Sequence, residues 1–220
     1  SLTTLKRWLD ERPWDYAWMA GDNIQASGVY YRAMSEVKRQ EYLDFIWQYL
    51  EARQDRQTGL WGEGRPYIRI SGAFKLALFY RSFGKVMPRG EQIYQSILTT
   101  LREDVSEDMC WTRNPMDLLL ALQPQLGSYP VEDILEILKI THKNLQRYLK
   151  PDGGFSRHVE HSLETPNNVP LGKGLVEGDM NASTQGLRIR LLAYHLANRQ
   201  EKIVALPCRK DFYEQVVLEV

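Results

Sequence analysis

Apolar residues recur along this chain at spacings of three and four. Leu43, Ile46, Trp47 and Leu50 fall at i, i+3, i+4 and i+7, as do Tyr94, Ile97, Leu98 and Leu101. Val131, Ile134, Leu135 and Leu138 repeat the pattern, and His142, Leu145 and Leu149 continue it. At the helical period each set makes one apolar stripe with a polar back. Pro130 suits a first helical turn, and Glu132 and Asp133 then sit near the positive end of the helix dipole. Gly84, Pro88 and Gly90 mark a stop and a restart. Three other segments are apolar nearly all round: IRISGAFKLALFYRSF (68–83), MDLLLAL (116–122) and LRIRLLAYHLA (187–197), the last interrupted by two arginines. Helices of that kind are buried on most sides. The two kinds alternate, and nothing alternates with the period of a strand. The pattern predicts an all-α protein of seven or eight helices, inner and outer taking turns in antiparallel hairpins.

The stretch before each buried helix ends on an aromatic: Trp18, Trp61, Trp111 and Phe155, at intervals of 43, 50 and 44 residues. A period of about 40–50 residues suits a repeated helix pair. Each aromatic is expected in the turn that closes an outer helix, mostly buried against the next repeat.

Tyr49-Leu50, then Gln54, then Gly59-Leu60-Trp61 resembles the QW motif of squalene and other triterpene cyclases. YLKPDGGFS (148–156) is similar to a second copy, with Phe155 in place of Trp. The resemblance spans residues 8 to 198. It implies an α/α toroid, the fold shared by terpenoid cyclases, protein prenyltransferase β-subunits and complement thioester domains. TGLWG…ISGAFK and PDGGFS…GLVEGDMNASTQ also look like uncharacterised bacterial members of that group. A complete ring needs more helices than seven or eight. Residues 1–220 therefore read as one domain forming an incomplete ring, completed by a longer chain or a partner. The chemistries of the group do not carry over. The DxDD acid of the cyclases, the Asp, Cys and His zinc ligands of the prenyltransferases and the Cys-Gly-Glu-Gln thioester have no counterpart that the sequence matches.

Composition narrows the partners. Hydrophobic residues make up 43% and charged residues 25%, ordinary for a soluble domain. Lys plus Arg equals Asp plus Glu at 28 each, so no global charge argues for nucleic acid. No apolar run approaches the roughly 20 residues of a membrane span. The N-terminal stretch has no apolar leader, and Cys110 and Cys208 cannot make a disulfide framework, which favours a cytoplasmic protein. Both cysteines read as buried or free thiols. No cofactor or metal is expected.

Candidate chemistry concentrates where loops enter the inner helices. The segment 151–180 lacks clear periodicity and holds His158, Glu160, His161, Glu164, Glu177 and Asp179. Its H-V-E-H run offers metal-type ligands, but the spacing lacks a helical i, i+4 pair, and solvated loop charge is the simpler account. Glu177 and Asp179 flank Gly178 just before the last inner helix. They read either as helix capping or, with His158, as an acid/base set of the kind carbohydrate hydrolysis uses. Asp22 and Asn23 follow Trp18, and Asn114 and Asp117 follow Trp111, again as caps or as a polar rim. Lys75 is a charge on an apolar helix that must snorkel, pair or face a polar cavity. Trp61, Asp22, Asn114, Asp117 and Lys75 are the expected ligand contacts. Such a rim of carboxylates, amides and tryptophans suits a sugar or related polar small molecule. An isoprenoid-binding cyclase relative and a non-catalytic helical scaffold for a protein partner stand as alternatives.

Overall fold

The computed structural model describes residues 1–165 and 169–204. Over these the chain is all-helical: α1 Leu2–Asp10, α2 Ala17–Arg32, α3 Glu36–Arg53, α4 Pro66–Ser82, α5 Gly90–Glu103, α6 Met109–Leu126, α7 Val131–Tyr148, α8 Met180–Leu196 and the four-residue α9 Glu201–Val204. Among the described residues the only β features are two isolated bridges, Asp108 to His158 and Leu149 to Phe155. Cys208 lies outside the described residues.

The starts follow local chemistry. The Ser1 hydroxyl accepts from the Thr4 N–H, Asp108 from the Cys110 N–H and Asp179 from the Ala182 N–H, each satisfying an amide that the helix leaves free. Pro66 opens α4, where its missing N–H costs nothing.

The helices sort into two rows. α2 packs on α4, α4 on α6 and α6 on α8, more extensively than any of them packs on its sequence neighbours. No comparable packing joins α8 back to α2. Of the other helices, α3 lies against α2, α5 against α4 and α6, and α7 against α6 and α8. α4 is buried nearly all round, from Tyr67 through Ile70, Ala73, Phe74 and Leu76 to Tyr80, as its apolar run requires. The α2–α4 seam is the tightest. A Cβ on Gly72 would lie 2.4 Å from the Ala17 carbonyl oxygen, and one on Gly21 would lie 2.5 Å from the Gly72 oxygen. Only glycine allows the two backbones so close.

The motif around Trp61 acts as a clasp. The Trp61 ring is buried, and its Nε1–H donates to the Leu50 carbonyl at 2.7 Å, filling a free acceptor at the end of α3. Gln54 donates from Nε2 to the Gly59 and Pro88 carbonyls, both at 2.8 Å, and accepts from Arg89 Nη1 at 2.5 Å. One side chain thus holds its own turn and the start of the next hairpin.

Several expectations need correction. Trp14, not Trp18, matches Trp61: its Nε1–H donates to the Leu9 carbonyl at 2.9 Å. Trp18 and Trp111 sit in the first turns of α2 and α6, half-buried. Asp22 and Asn23, like Asn114 and Asp117, lie inside helices and cap nothing, because α2 starts at Ala17 and α6 at Met109. On α7 the buried stripe is Ile134, Ile137, Thr141, Asn144 and Tyr148, while Val131, Leu135 and Leu149 are exposed. Two stripes on that helix share the period, and the one holding Tyr148 wins. Its hydroxyl and that of Thr112 meet Ser106 in a buried cluster at 3.0 and 2.8 Å.

Candidate functional site

Charges line one partly solvent-exposed face of the α2–α4–α6–α8 row. Lys75 on α4 pairs with Asp22 on α2, Nζ to Oδ1 2.7 Å, and lies 5.9 Å above the Trp18 ring. The lysine expected to pair or snorkel therefore pairs. On α6, Arg113 lies 5.5 Å over the Phe74 ring of α4, with Nε 3.2 Å from Asp117 Oδ2. Arg188 on α8 reaches the same carboxylate, Nη2 to Oδ1 2.9 Å. Asp117 is nearly buried between the two guanidiniums, which offset the cost of removing it from water. Lys75, Asp22 and Arg188 keep part of their surface in solvent. The series Asp22–Lys75, Phe74–Arg113–Asp117 and Arg188 thus runs across α2, α4, α6 and α8.

Asn114 and Trp61 are not part of this face. Asn114 is 1% exposed: its Nδ2 donates to Ser71 Oγ at 2.9 Å, tying α6 to α4. Trp61 is a core residue at 1% exposure and offers no platform to a ligand.

The acidic pair near α8 is structurally committed. Asp179 is 3% exposed. Its Oδ1 accepts the Ala182 N–H at 2.7 Å, and its Oδ2 accepts the Arg157 and Leu163 N–H groups at 2.7 and 3.0 Å. Glu177 Oε1 accepts the Ser162 hydroxyl at 3.1 Å and the Lys173 N–H at 2.5 Å. Gly178 earns its place by close approach, since a Cβ there would lie 2.6 Å from the Gly154 Cα.

His158 and His161 face each other with ring centroids 4.9 Å apart. Burial pushes His158 below the usual histidine range, with Asp108 acting in the opposite direction. Neighbouring Arg157 donates from Nε to Asp108 Oδ2 at 2.5 Å. Burial also pushes the Cys110 thiol up, away from the thiolate a nucleophile needs. Among the described residues no group of three or more His, Cys, Asp or Glu is arranged to hold a metal ion.

The structure thus joins Asp22 to Lys75 and places Asp117 on the same face, while Glu177, Asp179 and His158 belong to the loop entering α8. Sequence reasoning missed Arg113 and passed over Arg188 as an interruption of an apolar run. The available signal was register: Arg113 and Asp117 are four apart on one helix face. No family model matches the chain, nor does any curated protein or solved structure. Among the described residues no helix is long and apolar enough to cross a membrane.

Proposed function

We propose that the chain is a ligand-binding domain of the α/α-toroid type, and that the charged face of its inner row holds a hydroxyl-rich ligand of the carbohydrate class. The toroid assignment rests on the series packing of alternate helices together with the Gln54–Trp61 clasp. The ligand class rests on one observation: ion pairs with partly exposed members join four successive helices of the row, and two of their cations lie over the Trp18 and Phe74 rings. Sugar hydroxyls exchange hydrogen bonds with such carboxylates and cations, and the apolar face of a sugar ring lies on an aromatic. An isoprenoid would instead strip water from Asp22, Lys75 and Arg188 without replacing its hydrogen bonds. Binding is favoured over acid/base chemistry by the Glu177–Asp179 pair, because both carboxylates already serve backbone amides.

The test is a titration of the protein with neutral malto-, cello-, xylo- and chito-oligosaccharides and, separately, with farnesol, following the indole resonances. Trp18→Phe assigns the relevant signal. A saccharide should move Trp18, and Lys75→Met and Arg188→Gln should weaken its binding. A response to farnesol alone, or saccharide binding indifferent to both variants, overturns the proposal.

A further inference from the structure

A polar cavity lies where the first two hairpins meet, and its chemistry differs from that of the charged face. It measures about 270 Å³ and is lined by Trp14, Arg53, Asp55, Leu60, Glu63 and Arg69. Its walls are brought together by a backbone approach: Gly62 has φ +65°, and a Cβ there would lie 2.6 Å from the Trp14 carbonyl oxygen. The Glu63 N–H donates to that same oxygen at 2.7 Å.

Both guanidiniums in the cavity are under-neutralised. Arg69 comes no closer than 4.0 Å to Asp55 Oδ2; its Nη2 donates to the Thr58 hydroxyl at 3.1 Å, and its buried Nε has no partner. Asp55 is in turn held by its own turn, with Oδ1 accepting from the Gln57 N–H, the Thr58 N–H and the Thr58 hydroxyl. Arg53 lies 5.4 Å over the Trp14 ring and 3.3 Å from Asp10, but Asp10 also accepts from Lys6 at 2.6 Å and Tyr49 at 2.8 Å. Glu63 is exposed at the edge of the cavity.

Two arginines with spare donors match the planar oxygens of a carboxylate. Glu63 and the second oxygen of Asp55 accept hydrogen bonds from hydroxyls, and the Trp14 indole forms part of the wall. The volume falls just below the roughly 300 Å³ at which drug-sized sites begin, which suits one ring and not a chain. We infer that this cavity is a subsite for a single carboxylate-bearing sugar ring, held by Arg53 and Arg69 beside Trp14. It rests on the carbohydrate-binding function proposed above and extends it to acidic sugars.

The experiment titrates the full chain with D-glucuronate, D-glucose and acetate, following the Trp14 indole resonance, assigned with Trp14→Phe. Glucuronate should shift Trp14 at concentrations where neither glucose nor acetate does. Arg69→Gln should weaken that binding about tenfold or more, as expected for a lost charge-assisted hydrogen bond, and Arg69→Lys should not restore it, because the fork is gone. If Arg69→Gln does not fold, Arg53→Gln, whose side chain is 40% exposed, carries the same test. Equal shifts with glucose overturn the carboxylate assignment. Equal shifts with acetate reduce the cavity to an anion site and overturn the sugar assignment. No shift from any of the three overturns the subsite, while oligosaccharide effects at Trp18 would still stand. A glucuronate shift at Trp14 with Trp18 silent to every saccharide would instead remove the charged face and leave the subsite.

Discussion

Replacing Gly72 with alanine tests whether the α2–α4 seam is built on backbone contact. The new Cβ would lie 2.4 Å from the Ala17 oxygen and 2.7 Å from its carbonyl carbon, against an ordinary contact of 3.4–4 Å. Restoring even the lower limit requires α2 and α4 to separate by about 1 Å, the difference between 3.4 and 2.4 Å. The obstacle is backbone, so no side chain can rotate away. Alanine gains about 1 kcal/mol of helix propensity over glycine. Overpacking costs about 1–3 kcal/mol, and separating a close-packed seam forfeits dispersion contacts along it, which places the cost at the upper end. A net loss of about 1–2 kcal/mol is expected from the two together. Gly28, on the partner helix α2, is the control. A Cβ there meets side chains and no backbone: Phe83 at 3.6 Å, Phe79 at 3.7 Å and Arg32 at 3.8 Å. Gly28→Ala should therefore be neutral or stabilising by up to about 1 kcal/mol. The pair Gly21→Ala and Gly72→Ala should be less than additive by roughly 0.5–1 kcal/mol, because the first separation relieves the second. Urea unfolding followed by far-UV dichroism, with m unchanged, measures the four variants against the unsubstituted chain. If Gly72→Ala is as stable as Gly28→Ala, the seam is not in backbone contact and the row is wrongly described.

Trp61→Ala should cost about 3–5 kcal/mol as a large core truncation, and Trp61→Phe about 1–2 kcal/mol, since it leaves the Leu50 carbonyl unpaired; a loss under 1 kcal/mol for the alanine variant in the same assay would show the ring is not core. Asp179→Ala should lower stability by roughly 2–4 kcal/mol through a lost cap and two further unpaired amides, whereas Glu177→Gln, which keeps an acceptor oxygen, should stay within about 1 kcal/mol; similar losses for both would deny Asp179 its special place. Because His158 is depressed in the folded state, the unfolded chain takes up that proton first as pH falls through the ordinary value of 6.5. Stability should therefore be full above pH 6.5 and decline below it, and His158→Gln should flatten the melting temperature between pH 7.5 and 5; an unchanged slope refutes the assignment.

The helices were legible from two signals, apolar stripes at the helical spacing in α3, α5 and α7 and nearly unbroken apolar runs in α4, α6 and α8, and the alternation of the two kinds anticipated that α4 would be buried all round. What the period could not choose was rotation: on α7 two stripes fit, and only the Ser106–Tyr148–Thr112 cluster selects one. Caps were misplaced for a related reason. Asp22 and Asn114 are good cap types, but the true starts depend on Asp108 and on the turn at Tyr16, several residues upstream. Of the candidate site, Lys75 was readable as a buried-helix charge that needs a partner. Arg69 and Trp14 were not, because their meeting depends on a glycine-tight approach between two hairpins that no local pattern encodes.

The triple acceptor at Asp179 couples the start of α8 to the segment that precedes it. Swinging the segment from Phe155 to Leu163 away from the body would break the Arg157 and Leu163 amides from one carboxylate oxygen, and the Phe155 carbonyl from the Asp179 N–H at 2.8 Å. The residue that loses those partners is the one that starts α8. Opening of the histidine-bearing segment and fraying of the first turn of α8 are then one event with one barrier. In hydrogen exchange the amides of Arg157, Leu163 and Ala182 should accordingly open at the same rate, although they lie in three separate stretches of the chain.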